Sequence, residues 1–439
     1  MITKMIEDGC RVGFFGLGCS NLSLMVGLDL GRCHVTLRSD VTVDRAALPG
    51  GIRIDRIFDG TGALRSLDED IIFFSPSVRR DRPELLEASA RGMIFSSDAE
   101  LFYENNRRPI FAVSGSDGKS TTATLTHLLL KESGVDSRLI GNIGEPMALH
   151  NNDAEAYVCE LSSFMLSYAR PNAVAGCITN ITPNHLDWHK SYEEYRDTKI
   201  SLLSGCDKGV ISEKCAYING ASAIVGEESD YSTLREIYKA DLYMTREDGF
   251  IRRNGERIIR LLDLEHLCRH DIQNLMMAIA MTDGCVSNEQ IIRVAKKFKG
   301  LPHRCECFAS IGGVLCIDSS IDSTPARTAA TLRSLGKRVL IILGGRGKGL
   351  DYREMLPDLK RYVTEALITG ENAEEIASVI KGELPFRVFD TLSEATEYGI
   401  YASRDVGTLL LSPASTSYDR YKSYAERGEI FKKICRKMM

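Results

Sequence analysis

The chain of 439 residues has a formal net charge of −5, with 26% charged and 44% hydrophobic residues, and this length predicts about three domains with separate cores. The balance is that of a globular protein, and the lack of a basic tract predicts no nucleic-acid partner. Because residues 1–10 include Glu7 and Asp8, and no apolar run reaches the roughly 18 residues of a membrane span, we predict a cytoplasmic protein without a membrane span.

The thirteen cysteines indicate a reducing compartment. They form no C-x-x-C pair, and several lie inside apolar runs, among them Cys159, Cys177 and Cys316. Packed, reduced thiols have this distribution.

The first region begins with a glycine turn between two predicted strands. Residues 11–18 (RVGFFGLG) and 33–37 predict the strands of a Rossmann-like βαβ unit. As a dinucleotide fingerprint the turn is incomplete, because Asn21 stands at the third glycine position and Arg38 and Ser39 end the second strand. Phosphate binding and a plain turn in a parallel sheet are equally compatible with this pattern.

A second loop of the first region follows the predicted strand 71–74. It reads Ser75-Pro76-Ser77 and lies at the carboxyl edge, where open α/β sheets bind ligands. The polar stretch 96–108 predicts a linker to the next domain.

The stretch 113–123 (VSGSDGKSTTA) joins an apolar strand at 110–113 to a helical pattern that ends near Gly134. Such a turn directs backbone N–H groups and a helix N-terminus at one point, which suits a polyphosphate. Lys119 adds a cation for the terminal phosphates and Ser120 a hydroxyl for Mg²⁺. The spacing, Gly115-x-x-Gly118-Lys119-Ser120, is a shortened P-loop. An ATP site is the working hypothesis, and a glycine turn with a solvated lysine is the alternative.

Two further strands of the central region end in polar residues. The strand 156–159 is followed by Glu160, either a second Mg²⁺ ligand or a surface strand end. The strand 174–181 runs into a loop with His185, Asp187 and His189, which either face a metal together or are solvated.

The predicted helix from Ser191 to about Leu203 carries a lysine on its apolar stripe. Lys199 shares that stripe with Tyr192, Tyr195 and Leu202. A lysine there snorkels, pairs, or loses its proton. A neutral amine reacts with CO₂ to give a carbamate, which is a metal ligand.

The remaining chain predicts a mixed segment over 215–260, a helix near 275–283 preceded by His270-Asp271-Ile272-Gln273-Asn274, and a linker near 297–302. The last region alternates strands and helices, with strands at 314–317, 338–343, 366–369, 387–389 and 408–411. Polar loops follow three of these strands and suggest a small anionic ligand: 318–320 (DSS), 344–349 (GGRGKG) and 412–417 (SPASTS).

Together these loops resemble the Mur ligases over nearly the whole chain. The resemblance is carried by GSDGKST (115–121), GNIG (141–144), ELSSF (160–164), N-x-T-x-x-H-L-D-x-H (180–189), YRDTK (195–199), H-x-x-x-N (270–274), LPHR (301–304), DS (318–319), LGGRGK (343–348) and LLSPASTSYDRY (410–421). It implies an α/β fold with a Rossmann-like N-terminal domain (1–104) that binds a UDP-linked substrate. A central P-loop ATPase-like parallel-sheet domain (105–299) and a Rossmann-like C-terminal domain (300–439) that binds an amino acid follow.

The resemblance implies ATP-dependent amide-bond formation in peptidoglycan synthesis. The substrates it implies are UDP-N-acetylmuramoyl-L-alanine and D-glutamate. The enzyme, expected to be a monomer, would join them through an acyl phosphate intermediate. Two Mg²⁺ ions and a CO₂-derived carbamate on Lys199 would assist. Lys119, Glu160, His185 and Lys199 would be catalytic, and Ser120, Glu160, His185 and Lys199 would hold the metal ions.

The same resemblance assigns the binding residues. For ATP they are Gly115, Ser116, Asp117, Gly118, Lys119, Ser120, Thr121, Asn274, Arg304 and Asp318. For the UDP-linked substrate they are Gly18, Ser39, Ser75 and Pro76, with Asn142 and Ser162 near its muramoyl-alanine end, and for D-glutamate they are Lys348, Ser417 and Tyr424.

The chain departs from the family pattern at three positions. Ser320 stands where many members have a lysine, and Arg327 is a candidate for the replacement cation. Arg38 stands where many have an acidic residue near the uracil, and Tyr424 replaces a frequent phenylalanine.

Alternative functions are another Mur-type or folylpolyglutamate-type amino-acid ligase, a non-catalytic nucleotide-binding homologue, or a dinucleotide oxidoreductase. The oxidoreductase leaves the four catalytic candidates unused, and a non-catalytic homologue would be expected to have lost at least one of them.

Overall fold

A computed structural model describes residues 1–45, 48, 50–51 and 53–438. Strands and helices alternate along the chain and form three sheets of five, nine and six strands, so the fold is α/β, as predicted. The chain divides into two compact units, Met1–Ile258 with Asn274–Val294, and Ile259–Gln273 with Ala295–Met439. The three predicted domain boundaries stay a prediction.

The first sheet has the strand order β3-β2-β1-β4-β5, with neighbouring strands parallel. Its strands are β1 Arg11–Phe15, β2 His34–Ser39, β3 Arg56–Asp59, β4 Ile71–Phe74 and β5 Ile94–Ser96. The strands β1 and β4 are buried on both faces, which explains their continuous apolar runs. The glycine turn and the loop after β4 therefore lie at one edge, on neighbouring strands.

The central sheet has the order β14-β13-β12-β11-β10-β9-β6-β8-β7. Its strands are β6 Ile110–Ser114, β7 Ser137–Gly141, β8 Ala156–Glu160, β9 Ala175–Ile178, β10 Gly209–Ser212, β11 Ala223–Val225, β12 Leu242–Glu247, β13 Phe250–Arg253 and β14 Glu256–Arg260. The strand β6 lies between β8 and β9 and is parallel to both. This order brings the loops after all three strands to one edge of the sheet.

The third sheet has the order β15-β16-β20-β17-β18-β19. Its strands are β15 Glu306–Ile311, β16 Val314–Asp318, β17 Val339–Leu343, β18 Val363–Ile368, β19 Phe386–Val388 and β20 Thr408–Leu411. Only the β15–β16 pair is antiparallel, and β20 lies between β16 and β17. The three polar loops predicted to share a ligand follow these three adjacent parallel strands.

The helices cover the sheets and close the crossovers between parallel strands. They are α1 Ile2–Asp8, α2 Cys19–Gly27, α3 Pro83–Ala90, α4 Asp98–Asn105, α5 Lys119–Glu132, α6 Ser163–Leu166, α7 Tyr192–Ile200, α8 Tyr231–Ile237, α9 Arg269–Met281, α10 Asn288–Lys297, α11 Pro325–Leu335, α12 Leu356–Tyr362, α13 Ala373–Ile380, α14 Leu392–Ala402 and α15 Tyr424–Lys437. Within the described residues, no helix combines the length and apolar character needed to cross a membrane.

Several elements differ from the sequence predictions. The predicted linker 96–108 contains α4, whose N-cap Ser97 accepts a hydrogen bond from Glu100 N and whose apolar face is buried. The strands β7, β10 and β15 were not predicted, because polar or glycine residues interrupt their apolar residues. Tertiary pairing, not local propensity, makes them strands.

One cysteine pair differs from the expectation of reduced thiols. Cys268 and Cys305 form a disulfide, and the other eleven cysteines are free. The pair is 37 residues apart in sequence, so spacing alone gave no sign of it.

Candidate active site

The P-loop joins β6 to the first turn of α5, which begins at Lys119. Gly115 has φ +145° and Gly118 has φ +80°. A Cβ on either glycine would also overlap a neighbouring side chain, Thr179 and Asn274 respectively. Both glycines are therefore required by backbone conformation and by close packing. The Lys119 ammonium donates to the Ser116 carbonyl oxygen at 2.8 Å.

The loop after β9 holds the P-loop in place. Asn180 accepts from Asp117 N through its side-chain oxygen at 3.0 Å, and its carbonyl accepts from Ser116 N at 2.8 Å. The Thr179 hydroxyl donates to Asp117 O at 2.5 Å, and the hydroxyls of Ser116 and Tyr195 are 2.8 Å apart. Sequence reasoning gave Thr179, Asn180 and Tyr195 no site role, although the polar residues that directly follow β9 were a signal for the first two.

Glu160 ends β8 opposite Val113 of β6 and is 1% exposed. One carboxylate oxygen, Oε1, accepts from the Asn142 amide at 2.7 Å. The other, Oε2, is buried without a hydrogen-bond partner among the described residues. A buried carboxylate oxygen without a partner is unfavourable unless a cation binds it, so Glu160 fits a Mg²⁺ ligand better than a surface strand end.

Lys199 lies on α7 and is 2% exposed, so its ammonium does not snorkel to water. Its Nζ donates to Gly115 O at 2.7 Å and lies 4.9 Å from the centre of the Tyr195 ring. Burial, and then the charge of Lys119, lower the pKa of Lys199 to about 7, against the opposing effect of Glu160. A substantial neutral fraction is therefore present near neutral pH.

The loop between β9 and α7 places the three candidate metal ligands in different surroundings. His185 and Asp187 are exposed, whereas His189 is buried and its Nε2 lies 3.0 Å from the Ser163 hydroxyl. His185 has φ +54°, an uncommon conformation for a residue with a side chain. Its ring packs edge-on against Phe164, with 4.9 Å between ring centres.

Two other predicted residues of the central region have local partners. Asn274 lies on α9, where its Oδ1 accepts from the Thr122 hydroxyl at 3.3 Å and its Nδ2 is buried without a partner among the described residues. Ser162 caps α6 by accepting from Met165 N at 3.2 Å. Ser120 and Thr121 lie in the first turn of α5.

The predicted residues of the first sheet lie at its carboxyl edge. The Ser75 hydroxyl accepts from Gly18 N at 3.2 Å, with Pro76 next to it, and the Ser39 hydroxyl accepts from Val41 N at 3.2 Å. Arg38 is fully buried and pairs with Glu69 at 2.7 Å. Arg38 therefore forms a buried ion pair with Glu69 and is not exposed at the edge of this sheet.

In the third sheet, Asp318 is fully buried at the end of β16. Its Oδ2 accepts from His303 Nδ1 at 2.8 Å and lies 3.6 Å from the Lys432 ammonium, while Oδ1 accepts from Ser320 N at 2.9 Å. Burial alone would lower the pKa of Lys432, but hydrogen bonds to Glu306 and Glu429 raise it above the usual value. Lys432 is thus the cation beside Asp318, whereas the candidate Arg327 is exposed and donates to Ile321 O at 3.4 Å.

Arg427 on α15 donates hydrogen bonds to all three polar loops of the third sheet. It is 3% exposed and donates to four carbonyl oxygens, those of Ser320, Gly344, Ser415 and Thr416, at 3.0–3.3 Å. These four residues belong to the loops after β16, β17 and β20. Sequence reasoning did not identify Arg427, because its partners lie as many as 107 residues away along the chain.

Other predicted residues of the third sheet lie on or beside these loops. Lys348 is exposed on the loop after β17, Ser417 is buried on the loop after β20, and Tyr424 begins α15. The Tyr424 ring centre is 6.1 Å from that of His303, next to the half-buried Arg304.

These features define an α/β nucleotide-binding protein with a shortened P-loop, a buried acidic residue on the neighbouring strand and a buried lysine against the loop. Family models agree with this class. Residues 113–282 match the Mur ligase middle domain, and residues 303–415 match the Mur ligase, glutamate ligase domain. The chain belongs to the Mur ligase family.

Individual relatives cover almost the entire chain. The UDP-N-acetylmuramoylalanine--D-glutamate ligase of Ruminiclostridium cellulolyticum is 33% identical over 97% of this chain and 96% of its own length. The protein of the same name from Acetivibrio thermocellus is 35% identical over 85% of this chain and 84% of its own length. The crystal structure of UDP-N-acetylmuramate-alanine ligase from Thermotoga maritima matches 98% of this chain with a TM-score of 0.56 at 17% identity, which shows the shared fold.

Proposed function

We propose that this protein is the ATP-dependent ligase that adds D-glutamate to UDP-N-acetylmuramoyl-L-alanine in peptidoglycan synthesis. The observation that carries the proposal is the close association of Lys119, Glu160 and Lys199 around one P-loop, in a chain whose near-full-length relatives bear that ligase name. The substrate carboxylate would attack the γ-phosphorus of ATP and release ADP. The D-glutamate amine would then attack the acyl phosphate, lose a proton and release phosphate.

The P-loop edge suits the first step, in which two anions must approach each other. Lys119 and the first N–H groups of α5 would bind the phosphates of ATP. The Ser120 hydroxyl and the unpaired Oε2 of Glu160 would hold a Mg²⁺ ion, whose charge offsets the repulsion between the carboxylate and the γ-phosphate. Asn274, with a free amide donor beside Gly118, is a candidate nucleotide contact.

We further propose that Lys199 is carbamylated and that the carbamate, with His185, holds a second Mg²⁺. Its buried amine is partly neutral near pH 7, so the nitrogen lone pair can add to the carbon of CO₂ with loss of one proton. The change replaces a buried cation with an anion next to Gly115, which favours binding of a divalent ion.

The other two edges would bind the remaining parts of the substrates. Gly18, Ser39, Ser75 and Pro76 would contact the UDP moiety, and Asn142 and Ser162 the muramoyl-alanine end. In the third sheet Lys348, Ser417 and Tyr424 would bind D-glutamate, while Arg304 and Asp318 would contact ATP. We assign these roles to three domains, 1–104, 105–299 and 300–439, of a monomeric enzyme.

Phosphate release from ATP tests the function. The full-length protein is incubated with ATP, Mg²⁺ and UDP-N-acetylmuramoyl-L-alanine, and single amino acids are added in turn. We expect turnover with D-glutamate and little with L-alanine, L-lysine or meso-diaminopimelate. Turnover with one of these but not with D-glutamate would indicate a different amino-acid ligase of the family, and no turnover with any of them would indicate a non-catalytic homologue.

A further inference from the structure

The single tryptophan of the chain, Trp188, connects two loops of the same compact unit. Its indole Nε1 donates to Ser77 O at 2.6 Å, and its own carbonyl accepts from Arg79 at 2.5 Å. The Arg79 guanidinium also stacks on the indole, 4.8 Å from the ring centre. We call Ser77, Arg79 and Trp188 the tryptophan latch.

One end of the latch belongs to the loop at the edge of the first sheet. Ser77 and Arg79 follow Ser75, whose hydroxyl accepts from Gly18 N of the glycine turn. Asp81 fixes the Arg79 guanidinium through two hydrogen bonds of 2.8 and 2.9 Å. A ligand bound between the glycine turn and Ser75 would therefore contact the segment that holds the latch.

The other end belongs to the loop that carries His185. The backbone N–H groups of Trp188 and His189 both donate to His185 O, at 3.1 and 3.0 Å. Phe164 packs against the rings of His185 and Trp188, with ring centres 4.9 and 4.8 Å away. The positive φ of His185 is a costly conformation that persists only where its surroundings fix it. Trp188 lies three residues after His185 and contacts residues outside this loop, as Thr182 does three residues before it, where Thr182 N donates to Ser116 Oγ at 2.9 Å.

We propose that the tryptophan latch positions His185 in response to ligand at the first-sheet edge. Binding of the UDP-containing substrate fixes the conformation of the Ser75–Arg80 loop. Through the contacts of the latch, this loop in turn fixes the conformation of the loop that carries His185. Ser77, Arg79 and Trp188 therefore act as positioning residues for His185. The proposal rests on the proposed function, because it takes His185 as a metal ligand and the first-sheet edge as the UDP site.

The latch can respond to ligand because its polar contacts lie in partly exposed surroundings. Trp188 and Arg79 are only partly buried, and the Arg79 guanidinium is shared with Asp81 and with Glu194 of α7, 3.7 Å away. Lys190 also pairs with Asp81, at 3.1 Å. Partly exposed polar contacts of this kind open more readily than a packed core.

Tryptophan fluorescence tests the coupling directly, because all indole emission comes from Trp188. The full-length protein is titrated with UDP-N-acetylmuramoyl-L-alanine without ATP, and calorimetry on the same samples measures binding. We expect the emission maximum to shift with the same half-saturation as the calorimetric isotherm, and Arg79→Met to abolish the shift while binding persists. Binding without any change in emission would overturn the latch proposal alone. Absence of binding would overturn the proposed function as well.

Kinetics separate positioning from a purely structural role. In Arg79→Met we expect the Mg²⁺ concentration for half-maximal rate to rise by about fivefold or more, the lower end of typical coupling between sites. Trp188→Phe, which keeps an aromatic ring but loses the indole donor, should shift the same parameter in the same direction. Arg387→Met is the matched control, since Arg387 also stacks on a ring (Tyr398, 4.8 Å) and pairs with a carboxylate (Glu365, 2.9 Å). An unchanged Mg²⁺ requirement in both latch variants, with normal melting curves, would refute the proposal.

Discussion

The carboxyl edges of the central and third sheets are both built from polar loops, but different interactions hold them. At the central edge, short contacts from adjacent strands fix the P-loop, and Glu160 Oε2 is left without a partner among the described residues. At the third edge, the buried Arg427 of the C-terminal helix joins the loops, and the buried Lys432 of the same helix pairs with Glu306 and Asp318.

This difference indicates separate uses for buried charge. At the central edge, burial and Lys119 lower the pKa of Lys199 although Glu160 opposes the shift, and Glu160 Oε2 has no hydrogen-bond partner among the described residues; such groups are poised to bind ions or react. At the third edge Asp318 lies beside Lys432, and Arg427 donates to carbonyl oxygens of three loops, so these interactions hold the loops in place. We therefore expect substitutions of buried charged residues to reduce activity at the central edge and stability at the third.

The largest expected effect is that of Lys199→Ala on activity. The variant should lose about 100- to 1,000-fold in turnover, as when a group that stabilises transition-state charge is removed. Its melting temperature should stay close to that of the wild type, because a buried ammonium is costly to fold. Added bicarbonate or short-chain carboxylic acids should restore part of the phosphate release.

Lys131→Ala, an exposed lysine in the last turn of α5, is the matched control and should leave the rate unchanged. Near-normal turnover of Lys199→Ala without additives would show that this lysine has no catalytic role. A large fall in its melting temperature would instead place it with the structural charges of the third edge.

The second effect is a loss of stability in Arg427→Met. The substitution removes a donor from four buried carbonyl oxygens, of which only that of Thr416 keeps another within the described part of the chain, Arg346 N at 2.9 Å, and breaking a buried charged network costs about 3 kcal/mol. Urea unfolding followed by circular dichroism should report this loss. Arg346→Met removes an exposed pair with Glu371 (2.9 Å) and should cost about 0–1 kcal/mol. Equal stability of the two variants would remove the distinction between the edges.

Local patterns predicted much of the central edge. Gly115, Gly118 and Lys119 lie in the predicted strand-turn-helix. The sequence placed Lys199 on the apolar stripe of α7 but left snorkelling, pairing and loss of the proton open, and the side chain is 2% exposed. The roles of these residues in binding and catalysis stay predictions. The three polar loops of the third sheet were also predicted to lie together, because parallel strands place such loops on one edge.

The contacts that fix these loops were not predictable in the same way. Arg427 and Lys432 lie on α15 and received no assignment from the sequence, yet both are buried. Tyr195 was assigned to an apolar stripe, although its hydroxyl meets Ser116. Each contact depends on how distant elements pack, and periodicity within one helix carries no information about a partner on another strand.

The smallest expected effect is the pH dependence of CO₂ uptake at Lys199. With a pKa of about 7, the neutral fraction of the amine rises from roughly one tenth at pH 6 to roughly nine tenths at pH 8. At a fixed partial pressure of ¹³CO₂, the initial rate at which the carbamate signal appears in ¹³C NMR should therefore grow roughly tenfold over this range, because the neutral amine is the reacting form, and the signal should be absent from Lys199→Ala. The pKa of Lys199 is shifted in the opposite direction from that of a lysine in an ion pair, whose raised pKa keeps it protonated over this range. A signal that persists in Lys199→Ala would assign the carbamate to another amine. A wild-type protein without a signal at pH 8 would leave Lys199 as a buried amine and remove the anion from the proposed second metal site.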